Sequence, residues 1–228
     1  MGFNLQKVVP WGRSFDEYCQ MFNLSKQELQ QSIVGVGDGP AAFNAILSEQ
    51  GGKIISVDPV YAFSTSQIRQ RIDDLFDDMV LQVTANAKNL RLDKFGSAEA
   101  LGQARMLAMN QFLQDFDQGK QQGRYLNNEL PILPFGKDQF DLALCSHLLF
   151  LYSEQLGLDF HIKAVLELCR IAKEVRIFPL LDLTHQTSTH INLVLHALAD
   201  AGFIASIENV DYEFQIGANQ MMLIRSAI

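Results

Sequence analysis

Ser32-Ile33-Val34-Gly35-Val36-Gly37-Asp38-Gly39-Pro40, followed after a short helical pattern by Lys53-Ile54-Ile55-Ser56-Val57-Asp58, is the stretch that decides the fold. An apolar run rich in β-branched residues enters three alternating glycines, Gly35, Gly37 and Gly39. Ala41 to Glu49 then reads as a helix closed by Gly51-Gly52, and a second apolar run ends on one carboxylate, Asp58, before Pro59. That order is what a nucleoside-binding βαβ unit needs. Glycines let the first turn take backbone angles that other residues resist, so a ligand can approach the main chain. The N-terminus of the following helix offers unpaired N–H groups. An acidic side chain about 20 residues on, at the tip of the next strand, can accept hydrogen bonds from ribose hydroxyls.

Glycine spacing separates two ligand classes. The dinucleotide fingerprint places its third glycine three positions after the second; here that position is Pro40, and the chain reads G-x-G-x-G-P. This resembles the S-adenosyl-L-methionine-binding loop of Rossmann-type (class I) methyltransferases. The resemblance implies that Gly35, Gly37, Asp38, Gly39, Asp58 and Pro59 surround the cofactor. One departure stands out: the family usually carries an acidic residue at the position of Gly35. A dinucleotide oxidoreductase, and a glycine-rich turn without a ligand, remain as alternative readings of this loop taken alone.

Ser14-Phe15-Asp16-Glu17 and Ser25-Lys26-Gln27-Glu28 both read as capping boxes, which predicts two short helices before the first strand. Ser64 to Asn86 and Ser97 to about Gln118 show helical periodicity, with Ile68, Ile72, Leu75, Phe76 and Met79 on one face of the first. Asp73, Asp74, Asp77 and Asp78 are then that helix's solvated face. These two helices stand where one crossover helix is usual, so an inserted lid is expected. A third strand is expected near Arg124 to Asn128, and Phe140 to Cys145 is a near-continuous apolar run typical of a buried parallel strand. Asp159 is a candidate cap for a helix over Phe160 to Ala172. Glu174 to Leu181 reads as a strand with a bend at Pro179, which cannot donate a ladder bond. A helix over Thr189 to Ala201 stops at Gly202, and Ile204 to Phe214 and Gln220 to Arg225 form a hairpin through Gly217-Ala218-Asn219.

Together these predict an α/β fold: a doubly wound, mostly parallel seven-stranded sheet of the methyltransferase-type Rossmann kind. It has a C-terminal antiparallel hairpin and a helical insertion after the second strand. Residues 1–228 are read as one such domain, with N-terminal helices over 1–31 and the inserted lid over 64–118.

A second segment strengthens the resemblance. Glu129-Leu130-Pro131-Ile132-Leu133-Pro134-Phe135 and then Phe140-Asp141-Leu142-Ala143-Leu144 is similar to the "D-A-x-x-LPF … FD-hydrophobic" stretch of the same superfamily. By position it implies that Glu129 and Leu130 face the adenine, with Asn128 as the fallback because the family usually has Asp. It also implies that Cys145-Ser146-His147, with Ser146 in contact, lines the methionine and the transferable methyl. The Phe140 to Tyr152 and Ile177 to Asp182 stretches look like bacterial methyltransferases of unknown substrate.

A methyl transfer owes much of its rate to in-line positioning, and a general base helps only when the acceptor carries a proton. His147 and Asp182 are the ionisable residues expected at strand ends; each also has a plain structural reading, as a half-buried histidine and as a cap. The Asn/Asp-Pro-Pro-aromatic signature of amine methylation is missing at Ser146 to Leu149. Arg13 is a candidate for the methionine carboxylate and Trp11 for closing the pocket, or both anchor an N-terminal arm. Tyr61 is either a partner of the adenosine or a loop aromatic. His185, His190 and His196 are spaced five and six apart, which does not put a pair on one helical face, so no metal site is expected.

The formal net charge of −8 argues against generic binding to nucleic acid or an anionic membrane. Cys19, Cys145 and Cys169 are too few and too scattered for a disulfide framework or a zinc site, and no signal pattern opens the chain, so a cytoplasmic protein is expected. The longest apolar run, Leu142 to Tyr152, is interrupted and too short to span a bilayer. The expected activity is methyl transfer from S-adenosyl-L-methionine to an unidentified acceptor, a small molecule before a macromolecule. A non-catalytic Rossmann-like cofactor-binding or scaffold protein is the alternative. Neither the acceptor nor the oligomeric state is legible in the sequence.

Overall fold

The structure is a computed structural model and describes residues 9–227; the start of the expected 1–31 segment and the last residue lie outside it. Seven strands form one sheet: β1 (Ser32–Val36), β2 (Lys53–Val57), β3 (Tyr125–Leu126), β4 (Phe140–Ser146), β5 (Ala172–Phe178), β6 (Phe203–Asn209) and β7 (Gln220–Ser226). Their order is β3-β2-β1-β4-β5-β7-β6. All neighbours are parallel except β5–β7 and β6–β7, which are antiparallel. This is the methyltransferase-type Rossmann arrangement. The strand order reverses between β1 and β4, so the crevice beyond their carboxyl ends is where such a sheet takes a ligand.

Period-2 alternation explains the near-continuous apolar strands. Val34, Val36, Ala143 and Cys145 face a core closed by α5 (Leu158–Ile171) and α6 (Ile191–Asp200). Ile33, Leu142 and Leu144 face the opposite core, closed by α1 (Phe15–Met21) and α2 (Phe43–Glu49). Because both faces are covered, the middle positions of the central strands favour apolar side chains on both sides.

The insertion consists of α3 (Thr65–Ala85) and α4 (Ala98–Gln121), with Ser64 and Ser97 as their caps. They pack closely at Gly102, where a Cβ would lie 2.8 Å from Val80. The C-terminal half of α4 packs Phe112 and Phe116 on Tyr61 and Tyr125 and leads into β3. It thus serves as the crossover helix, and α3 with the first half of α4 is the addition.

Three expected features differ. The Ser25–Glu28 box forms both of its hydrogen bonds, but only a 3-10 turn, Glu28–Gln30, follows. Glu28 also pairs with Arg176, and the chain must already be extended at Ser32 to enter β1. Gly157, not Asp159, is the N-cap residue of α5; Asp159 pairs with Lys163 one turn on. Strand β5 ends at Phe178, so Pro179 follows the ladder and does not interrupt it. No helix among the described residues is long and apolar enough to cross a membrane.

Candidate functional site

The loop after β1 turns sharply at Gly37 (φ 77°) and Gly39 (φ 52°), conformations that favour glycine. Its polar groups are tied to neighbouring elements. Gly37 N–H donates to the Val57 carbonyl at 2.9 Å. Gly39 N–H donates to Asp58 Oδ2 at 2.9 Å, and the Gly39 carbonyl accepts from the Tyr61 hydroxyl at 2.8 Å. The other Asp58 oxygen accepts from Val60 N–H at 2.8 Å, which caps the turn Pro59–Ala62. A Cβ on Gly39 would meet nothing within 4 Å except Asp58 Oδ2 at 4.0 Å, so open space lies over this glycine beside the carboxylate.

Asp38 turns inward. Its carboxylate accepts from the Tyr18 hydroxyl at 2.9 Å and from Ser56 Oγ at 2.6 Å. It lies against β1 so closely that a Cβ on Gly35 would be 1.9 Å from its Oδ2. The departure at Gly35 is therefore compensated in space: the acidic group arrives from position 38 and fills the volume that a side chain at 35 would need. Burial pushes the Asp38 carboxyl up to about 7 against the pull of the Ser56 and Tyr18 hydrogen bonds. Burial likewise raises Asp58 to about 6, against the Val60 and Gly39 N–H bonds, and Glu129 adds to the rise. Glu129 is exposed but near enough to be felt there, whereas the Leu130 side chain is buried in the core beside α5.

Beyond β4 and β5 lies a chamber of about 260 Å³. Trp11 and Arg13 line it from the N-terminal arm, Met79, Gln82 and Val83 from α3 with Asn86 just past its end, and His147 and Phe178 from the strand ends. Tyr212, Phe214 and Gln215 close it from the β6–β7 connection, which is held to the insertion by Arg91 N–H donating to the Phe214 carbonyl at 2.7 Å. Ser146 is buried, with Oγ 2.8 Å from His147 Nδ1. His147 has φ 51° and its N–H donates to the Phe178 carbonyl at 2.7 Å. Burial, with the charges of Arg13 and Arg105 added, holds its imidazole neutral far below the ordinary range.

The remaining candidates separate. Asp182 takes the plain reading: its Oδ1 accepts from Thr184 N–H, Thr184 Oγ1 and Gln186 N–H. Tyr61 takes the plain reading: it belongs to the Pro59–Ala62 turn after β2 and is buried among Phe112, Phe116 and Tyr125. His185 lines the chamber, while His190 faces the Ser153 carbonyl at 3.1 Å. Among the described residues, no group of three or more His, Cys, Asp or Glu is placed to hold a metal ion.

An ionic cluster missed in the sequence backs the chamber. Arg105, fully buried on α4, pairs with Glu17 on α1, whose other oxygen accepts from the Tyr212 hydroxyl at 2.9 Å. Burial works to raise Glu17, but Arg105 outweighs it and holds the carboxyl down to about 2. Both guanidiniums, Arg13 and Arg105, lie against the Phe214 ring, 5.5 and 5.6 Å from its centre. A signal existed: Arg105 falls on the apolar stripe Leu101, Ala108, Phe112 and Phe116 of its helix.

Fold and site together define a methyltransferase-type Rossmann protein with a glycine-loop corner and an adjoining chamber. The chain is 31% identical over 223 residues to the uncharacterized protein MJ0045 of Methanocaldococcus jannaschii, covering 97% of this chain and 98% of that protein, and it belongs to the same family. No family model matches it. Among solved structures, a SAM-dependent methyltransferase from Aquifex aeolicus is 14% identical with a TM-score of 0.43, covering 97% of both chains. The magnesium protoporphyrin IX methyltransferase of Synechocystis, solved with bound SAM, is 12% identical with a TM-score of 0.44, covering 88% of this chain and 73% of that one.

Proposed function

We propose that the chain is an S-adenosyl-L-methionine-dependent methyltransferase acting on a small molecule. The observation that carries this reading is the Asp58 carboxylate beside open space over Gly39, at the strand-order switch. An ionised carboxylate offers about four lone-pair sites. Gly39 and Val60 use two, and the other two remain for ribose hydroxyls. Glu129 and the Leu130 backbone follow β3 and would bound the adenine side, and Ser146 with His147 would bound the methionine side.

When bound, the cofactor supplies an electrophilic methyl group on a sulfonium. The chain's own part is positioning and exclusion of water, which α3 and the β6–β7 connection serve by walling the chamber. In the tautomer whose Nδ1 donates to Ser146 Oγ, neutral His147 keeps a lone pair on Nε2, a weak base toward an acceptor that must lose a proton. The small volume of the chamber, about 260 Å³, and the net charge of −8 support a small acceptor over nucleic acid. Three free cysteines support a reducing, cytoplasmic setting.

Calorimetry tests the reading. S-adenosylhomocysteine should bind in the micromolar range, NADH should not, and Asp58→Ala should abolish the binding. Binding of NADH in place of the sulfur nucleoside would reject it. One observation favours a second reading, a non-catalytic cofactor-binding or scaffold protein. Leu148 sits where a Cβ on Gly37 would be 2.8 Å away, and Gly12 packs on Pro40, so the chain itself covers part of the loop. Nucleoside binding without methyl transfer across a broad acceptor panel would decide for that reading.

A further inference from the structure

The chamber carries an unbalanced positive charge. Arg13 and Arg105 share one nearby carboxylate, Glu17, and that carboxylate is spent on Arg105 and Tyr212. No carboxylate among the described residues pairs with Arg13; its Nη1 donates to the Trp11 carbonyl at 2.6 Å, the neutral Tyr212 hydroxyl lies beside its guanidinium, and its Nε has no partner. Trp11 Nε1 and His185 Nδ1 are also buried without partners, and all three residues line the same chamber. Neighbouring acids are committed elsewhere: Glu213 pairs with Arg91, and Asp182 caps its own turn. His147 is neutral, so among the groups felt at Arg13 the one carboxylate is Glu17, already paired with Arg105.

A buried cation without a counter-ion is expensive, and unpartnered buried donors add to the expense. Both are relieved together by an anion with acceptor atoms. Val83, Leu151, Phe178 and Phe214 give the chamber an apolar wall, beside the neutral polar groups of Gln82, Asn86 and Gln215. We propose that this chamber binds a carboxylate attached to an apolar body, with Arg13 as its counter-ion and the Trp11 indole N–H as a second donor. Carboxylate geometry suits a guanidinium edge that can give two parallel bonds. Two sources share this chemistry: the acceptor molecule and the amino-acid tail of the cofactor. Choosing between them rests on the methyltransferase reading, whereas the carboxylate site itself does not.

Trp11 is the one tryptophan in the chain, so its fluorescence reports on the chamber directly. Titration with acetate, hexanoate and phenylacetate, each against its neutral amide, should show saturable change, with hexanoate or phenylacetate favoured over its amide by about tenfold or more. Arg13→Gln should erase that preference, and Arg13→Lys should keep part of it. Equal binding of acid and amide, or no saturable response to any acid, overturns the proposal. Calorimetry with S-adenosylhomocysteine and 5′-methylthioadenosine, which lacks the amino-acid tail, separates the sources. If Arg13→Gln weakens only the former, the carboxylate is the cofactor's; if it weakens neither yet erases the acid preference, the carboxylate is the acceptor's. A wild-type protein that prefers the acids but binds no sulfur nucleoside would keep this site and remove the methyltransferase reading.

Discussion

The corner where β1 and β2 end holds two acidic side chains, Asp38 and Asp58, and gives each carboxylate two hydrogen-bond donors. The chamber beyond β4 and β5 holds two guanidiniums and gives them one carboxylate between them. The first region is assembled mostly from one βαβ unit, with both carboxylates partnered and acceptor sites of Asp58 left over. The second is left with unpartnered donors and is assembled from the N-terminal arm, α1, both inserted helices and the β6–β7 connection. The difference separates scaffold from demand. In the acidic corner burial works against ionisation, so the carboxylates share donors with the backbone and shape the loop. In the basic chamber the chain leaves a charge for something else to neutralise.

Breaking the ionic anchor of the chamber has the largest expected effect. Arg105→Met would strand Glu17 in a buried site and should lower stability by about 3–5 kcal/mol. Glu17→Gln in the same chain removes the stranded charge, so the double variant should recover most of the loss. Urea unfolding midpoints of the four proteins check this. A single variant within about 1 kcal/mol of wild type would mean that the buried pair is not what fastens α4 to α1.

The two regions also differ in how much the sequence reveals. Strand β1, the glycine turn, α2 and Asp58 are legible because their determinants are adjacent: turn geometry needs glycine, and a strand tip needs only its own residues. Asp38 is misleading at that level, since a loop aspartate next to two glycines reads as a ligand contact. Only the pairing of Gly35 with the space that Asp38 fills shows it to be inward. Arg105 is half-legible, a charge on an apolar stripe, but its partners lie 88 residues away at Glu17 and beyond at Tyr212. Strand β3, two residues long, is too short for alternation to register. Tyr61 follows the same rule: its neighbours Phe112 and Phe116 come from a helix that the local sequence does not bring near.

A smaller effect sharpens the acidic side. The Asp38 carboxyl is raised by burial from an ordinary 3.8 to about 7. A folded-state value above the unfolded one means that its contribution to stability is full below about pH 4 and is lost as pH rises toward 7. The loss is at most about 1.4 kcal/mol per pH unit within that window. Asp58, raised to about 6, acts in the same direction, so wild type alone does not isolate either group. Asp38→Asn removes one titration. Relative to wild type its stability should rise with pH between about 4 and 7 and run parallel outside that window, as followed by denaturant midpoints at each pH. Parallel curves throughout would show that Asp38 titrates normally and is not enclosed as described.

The smallest expected effect lies on the boundary between the two regions. Leu148 fills the space over Gly37, at the point where the acidic corner meets the His147 wall. If that side chain must swing aside when a nucleoside enters, the binding-competent state is only part of the resting population, and apparent affinity is reduced by that fraction. Trimming it to alanine leaves Asp58 and its two N–H donors untouched. Leu148→Ala should therefore strengthen S-adenosylhomocysteine binding modestly, by about threefold, at a stability loss of about 1–2 kcal/mol for a half-buried leucine. Calorimetry reads the first and thermal unfolding the second. A fall in affinity would instead make Leu148 a wall of the occupied site. The acidic corner would then be pre-formed, and the chamber would be the only region that has to change on binding.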